Sequence, residues 1–138
     1  MDVNVSWYFE DRILMLVFPG ITTLEALYTL AEQCAHTLDT STYDKVHILM
    51  DASEAQAGRH SLVALKNALT PVARHDRLGM CVLYGTHDAQ IHQDWTLVAR
   101  IARINLHITR GRFEALQYLR RMDRSLPKLS DAHNAQSG

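Results

Sequence analysis

"HILMDASEAQAGRHSL", residues 47–62, decides how this chain folds. A short apolar run stops at Asp51. A small polar loop follows, carrying Ser53, Arg59 and His60. At Ser61 a helical pattern begins, with Leu62, Leu65, Leu69 and Val72 recurring on one face. An apolar run, a loop and a periodic segment read as strand, loop and helix. A strand that is apolar on both faces needs cover on both, as in a parallel sheet flanked by helices.

The same logic extends outward. "VNVSWYFEDRILMLVF", residues 3–18, reads as two antiparallel strands joined by a tight turn at Glu10–Asp11. The first alternates, with Val3, Val5 and Trp7 on one side and Asn4, Ser6 and Tyr8 on the other. "PG" at 19–20 ends the second strand. "TTLEALYTLAEQCAHTL", residues 22–38, predicts a helix, with Thr22 and Glu25 spaced as a capping box. Its apolar stripe is Leu24, Leu27, Tyr28, Ala31, Cys34 and Leu38. Pro71 is expected to end or kink the helix after Ser61 near Thr70. "GMCVLYG", residues 79–85, is a buried strand, and "NLHIT", residues 105–109, a weaker one. Between them Ile91, Trp95, Val98, Ile101 and Ala102 mark a helix capped by Asp88. "RFEALQYLRRM", residues 112–122, closes the pattern with Phe113, Leu116, Leu119 and Met122 on its apolar face.

The order β-β-α-β-α-β-α-β-α predicts an α/β fold. We expect a single mixed, mostly parallel sheet of about five strands, with an N-terminal antiparallel hairpin and about four helices. The domain should run over residues 1–125. Residues 126–138 read as a flexible C-terminal tail.

The 138 residues suit one domain, and 47% hydrophobic with 21% charged residues is ordinary globular composition. No apolar run is long enough to span a bilayer, and "MDVNVSW" carries no secretory pattern, so a cytoplasmic chain is expected. Cys34 and Cys81 sit at apolar periodic positions and read as buried free thiols. A net charge of −1 argues against nucleic-acid binding. Residues 1–99 hold 6 Lys/Arg against 12 Asp/Glu, and residues 100–138 hold 8 against 3. The basic C-terminal part reads as a solvated helix surface or a face for an acidic partner.

Three local stretches carry a family resemblance: "GITTLEALYTLAEQC" at 20–34, "HILMDAS" at 47–53 and "RFEALQYL" at 112–119. Over roughly residues 3–122 the chain resembles the STAS domain of bacterial anti-sigma-factor antagonists. Within that group it looks most like the SpoIIAA-like branch of undefined function. Lipid-binding domains of the Sec14 type share the broader architecture. The resemblance implies a non-catalytic regulatory module that binds a protein partner, a regulatory kinase among the candidates, with no cofactor. In the antagonists a serine of an Asp-Ser-Ser-Gly stretch is phosphorylated, which releases the partner. The stretch here is Arg59-His60-Ser61-Leu62, so Ser61 falls near that serine while the aspartate and glycine are replaced.

The candidate switch or partner-binding residues are therefore Asp51, Ser53, Arg59, His60 and Ser61. Ser61 at a helix start suits phosphate, because first-turn N–H groups and the helix dipole favour negative charge. Arg59 would pair with it. The simpler role for Ser61 is an N-cap. Asp51 stands at the carboxyl end of a parallel strand, where ligands of open α/β sheets bind, or it holds an Asx turn with Ser53. His87, Asp88 and His92 lack a further ligand, so no metal is expected. No nucleophile lies beside an evident base, so no catalytic residue is assigned; an enzyme would need Asp51 beside a histidine. His47 reads as a core histidine. The alternative function is a small-molecule or lipid-binding domain, its pocket lined by Trp95, Val98, Ile101 and Tyr118. The alternating first strand is a candidate edge for a homodimer.

Overall fold

The computed structural model describes residues 3–128. Its main sheet has five strands: β1 (Asn4–Phe9), β2 (Ile13–Val17), β4 (Val46–Asp51), β6 (Leu78–Tyr84) and β7 (Leu106–Thr109), in the order β1-β2-β4-β6-β7. β1 runs antiparallel to β2, and every other pair is parallel. The helices are α1 (Leu24–Thr40), α2 (Leu62–Ala73), α3 (Ala89–Ala102) and α4 (Arg112–Met122). This is the α/β fold expected from the sequence, hairpin included.

Two cores sandwich the sheet. Leu14, Leu16, Ile48, Met50, Cys81 and Leu83 pack under α1, α2 and α3. The alternate residues Ile13, Met15, Leu49, Met80, Val82 and Tyr84 pack under α4, the one helix on that face among the described residues, together with Leu126. This two-sided burial explains why β2, β4 and β6 read as unbroken apolar runs. Alternation puts Val5 and Trp7 on the first core and Tyr8 on the second, and a register shift between Trp7 and Phe9 brings Phe9 to the second core as well.

A further pair, β3 (Gly20–Ile21) and β5 (Ala55–Gln56), lies outside the main sheet. The two run parallel, and the Gly20 amide also donates to the Glu54 carbonyl at 2.9 Å. Gly20 has φ +56°, a conformation that favours glycine. This clasp ties the β2–α1 link to the loop after Asp51, and nothing in the alternation pattern announced it.

Some helix details differ from expectation. The cap of α1 is Thr23, whose hydroxyl accepts from the Ala26 amide at 3.1 Å, so the cap on Thr22 moves by one residue. The β3 pairing keeps the chain extended that far. Pro71 does not end α2, which continues to Ala73. The amide that proline lacks would have served the carbonyl of Asn67, an exposed residue, and the Thr70 hydroxyl bonds the neighbouring Lys66 carbonyl at 2.9 Å. Tyr28, Ile101, Phe113 and Met122 are exposed rather than part of the packed stripes. Leu126, placed at the start of the tail, is buried in the second core. Residues 129–138 of that tail lie outside the described residues. No helix among the described residues is long and apolar enough to cross a membrane.

Candidate functional site

The loop after β4 does not gather the five candidate residues into one cluster. Asp51 continues the alternation of His47 and Leu49, so its side chain lies on the α4 face. Its Oδ1 accepts from both the amide of Ser53, at 2.9 Å, and the Ser53 hydroxyl, at 2.7 Å. This is the Asx-type turn. Gly85, at φ +82°, packs against it so closely that a Cβ there would meet Ser53 at 3.1 Å.

Beside Asp51 stands Tyr84, its partner across the β4–β6 register. The Tyr84 hydroxyl is buried and has no partner in hydrogen-bond geometry. Burial foremost, and then the Asp51 carboxylate, push its pKa up against the opposing pull of Arg112. Among the described residues no hydrogen bond or ion pair joins Asp51 to a histidine, so the dyad that a catalytic reading needs is not formed there.

Ser61 is the N-cap of α2, its hydroxyl accepting from the Ala64 amide at 3.0 Å. It is exposed, as are Ser53 and Arg59. His60 turns inward, and its Nε2 donates to the Thr22 carbonyl at 2.9 Å. That bond pins the loop to the segment before α1. Asp88 caps α3 as expected, accepting from the Gln90 amide at 2.8 Å. Among the described residues no three His, Cys, Asp or Glu side chains come together as metal ligands would.

His60 borders the feature the sequence pointed to only in part. A pocket of about 80 Å³ opens at the carboxyl ends of the strands, between α1, α2, α3 and the loop. Phe18, Leu65, Leu69, Ile91, Trp95 and Val98 form its apolar walls, with Thr22, Gln56, His60 and Asp94 as its polar groups. Phe18 and Trp95 meet edge to face, with centroids 5.9 Å apart and planes at 65°. Of the four lining residues expected, Trp95 and Val98 are present. Ile101 points outward, and Tyr118 lies on the other face of the sheet, stacked on His107 at 3.7 Å.

A smaller apolar space of about 30 Å³ lies between the sheet and the helices. Leu69 and Trp95 line both spaces. Cys34 and Cys81 line the inner one, and burial pushes each thiol up to about 12. A thiol held protonated is neither a nucleophile nor a ready ligand.

No family model matches the chain, and no curated protein matches it.

A second polar group sits at the opposite pole. His47 is 4% exposed, and both its ring nitrogens are engaged. Nδ1 accepts from the Met80 amide at 3.0 Å, so Nε2 carries the proton and donates to Asp123 Oδ2 at 2.7 Å. Arg12 lies 3.5 Å from the same carboxylate oxygen, donates to the Ser125 hydroxyl at 2.6 Å and stacks over Tyr43 at 4.5 Å. Burial would raise the Asp123 carboxyl, but hydrogen bonds from Ser125 and His47 outweigh it and hold the group at about 2. With both nitrogens committed, His47 serves as a tie between β4, β6 and the end of α4. It is the core histidine that its place in an apolar strand implies, and its partner lies 76 residues away.

Proposed function

We propose that this chain is a non-catalytic binding module of STAS/SpoIIAA-like type that takes a small apolar ligand between its helices and sheet. One observation carries the reading: the apolar pocket opens at the carboxyl ends of parallel strands, where open α/β sheets bind ligands. The engagement of Asp51 in its own turn, and of both His47 nitrogens in structural bonds, supports a binder over a catalyst. The module would act in the cytoplasm. The test is an NMR titration with toluene alongside native mass spectrometry for a co-purified ligand. Saturable shifts at Ile91, Trp95 and Val98 are expected. No saturable shift at these residues, with no retained mass, refutes the reading.

A second reading is a protein-docking face over loop 52–61 and the start of α2, under phosphorylation control. The exposed Ser61 hydroxyl at the N-terminus of α2 favours it, since phosphate there would meet free first-turn amides. A regulatory kinase would then be one partner. Ser61→Asp should change retention of that partner on the immobilised protein. Unaltered retention, with Ser61 and Ser53 unmodified after kinase treatment, removes this reading.

A further inference from the structure

The polar side chains of the pocket are few: Thr22, Gln56, His60 and Asp94. Of its lining residues none is lysine or arginine, and the only carboxylate is that of Asp94. Asp94 Oδ1 accepts from the Gln90 side-chain amide at 2.7 Å. Its Oδ2 has no partner among the described residues. The His60 Nε2 is committed to the Thr22 carbonyl. Phe18 and Trp95 line the same pocket, and aromatic rings attract cations. A carboxylate or phosphate head would enter this site with no cation to receive it and one anion to repel it. A cationic head would find a half-free carboxylate and two aromatic rings.

Size narrows the body of the ligand. The two spaces, of about 80 and about 30 Å³, share the lining side chains Leu69 and Trp95. Apolar cavities of about 150 Å³ hold one benzene ring. At about 80 and 30 Å³ the two spaces fall short of that, so the pocket admits at most a single ring or short alkyl chain with part of it at the open mouth, and not a two-chain lipid.

We propose that the ligand is a small primary amine with a single-ring apolar body, its ring against the pocket walls at Trp95, Phe18 and Leu69 and its ammonium on Asp94 Oδ2. This rests on the pocket-binding reading above and adds to it the charge of the head. Leu69 and Trp95 are the shared walls the ring presses on. Asp94 is the residue that sets specificity.

The experiment uses benzylamine, benzyl alcohol and benzoate, similar in size but cationic, neutral and anionic at pH 7. Each is titrated into the full chain and followed by the shift of the Trp95 indole N–H. Benzylamine should bind at least about ten-fold tighter than benzyl alcohol, the effect of one charge-assisted hydrogen bond. Benzoate should bind most weakly. In Asp94→Asn the preference for benzylamine should fall below about three-fold while benzyl alcohol binds as before. Benzoate binding as well as benzylamine overturns the proposal, and so does a preference that survives Asp94→Asn. If toluene and benzyl alcohol bind and benzylamine gains nothing, the amine assignment fails and the pocket reading stands. If none of these probes binds, both fail. Thermal unfolding of Asp94→Asn within about 2 °C of the parent confirms that this exposed-side change leaves the fold in place.

Discussion

Asp123→Asn is the substitution whose outcome follows most directly from the geometry. The carboxylate takes hydrogen bonds from His47 Nε2 and from the hydroxyl and amide of Ser125, and it faces Arg12 at 3.5 Å. These bonds bring its pKa from 3.8 to about 2, against a burial effect of opposite sign. At about 1.4 kcal/mol per pKa unit the depression corresponds to roughly 2.5 kcal/mol. The side chain is 23% exposed, and screening by solvent reduces this to about 1–2 kcal/mol. The sign is that of a carboxylate that binds its proton less readily when folded. Its stabilisation is present above about pH 4 and is lost as pH falls towards 2. Asparagine keeps an acceptor for His47 but removes the charge. Urea unfolding at pH 7 should show Asp123→Asn less stable by about 1–2 kcal/mol, a fall in Tm of roughly 3–8 °C for a chain this size. At pH 2.5 most of that deficit should have gone, because the wild-type carboxyl is then losing its charge in the folded state as well. Asp123→Ala should be worse at pH 7, by about 2–4 kcal/mol, since it also leaves the buried His47 N–H unpaired. A variant Asp123→Asn as stable as wild type at pH 7, or one with the same deficit at both pH values, would refute the reasoning.

Three further outcomes are expected. A Cβ at position 79 would lie 2.4 Å from His47 Nδ1, so Gly79→Ala should destabilise by about 1–3 kcal/mol, and a Gly79→Ala/His47→Ala double variant should show a cost well below the sum of the singles in urea unfolding. Ser61→Ala removes the cap on Ala64 and should lower stability by about 1 kcal/mol in the same assay, whatever its effect on a partner. Cys34 and Cys81, with thiols pushed up to about 12, should resist a thiol reagent such as dithionitrobenzoate at pH 8 in the folded protein and react together on unfolding; prompt labelling of either in the folded state would contradict their burial.

What the sequence made legible was the part governed by local periodicity. The strand–loop–helix at 47–62 fell where its apolar pattern changed period, and α4 occupies 112–122 as read. The failures arise where distant chain intervenes. Thr22 has the spacing of a capping box with Glu25, yet β3 pairs with β5 and holds the backbone extended until Thr23. Phe113 has helical spacing with Leu116, but α4 touches the sheet through the narrow stripe of Ala115, Leu116 and Leu119, and Phe113 falls beside it. The site was legible in its pieces only. Ser61 as a cap and Asp51 with Ser53 as a turn follow from residue type and position. Asp94 reads in sequence as a solvent-side residue of α3, and only the packing of α3 against the loop makes it the lone acid of an apolar pocket. His47 and Asp123 are 76 residues apart, and no local pattern joins them.

The dependence of one sheet face on α4 has a consequence for synthesis. Ile13, Met15, Leu49, Met80, Val82 and Tyr84 find most of their cover in the last described helix and in Leu126 just after it. A ribosome making this chain completes all five strands and three helices before α4 emerges. Until then the nascent protein carries an uncovered apolar face, a surface that chaperones hold and that neighbouring chains can stick to. The bond from His47 to Asp123 can form only once α4 has docked and covered that face.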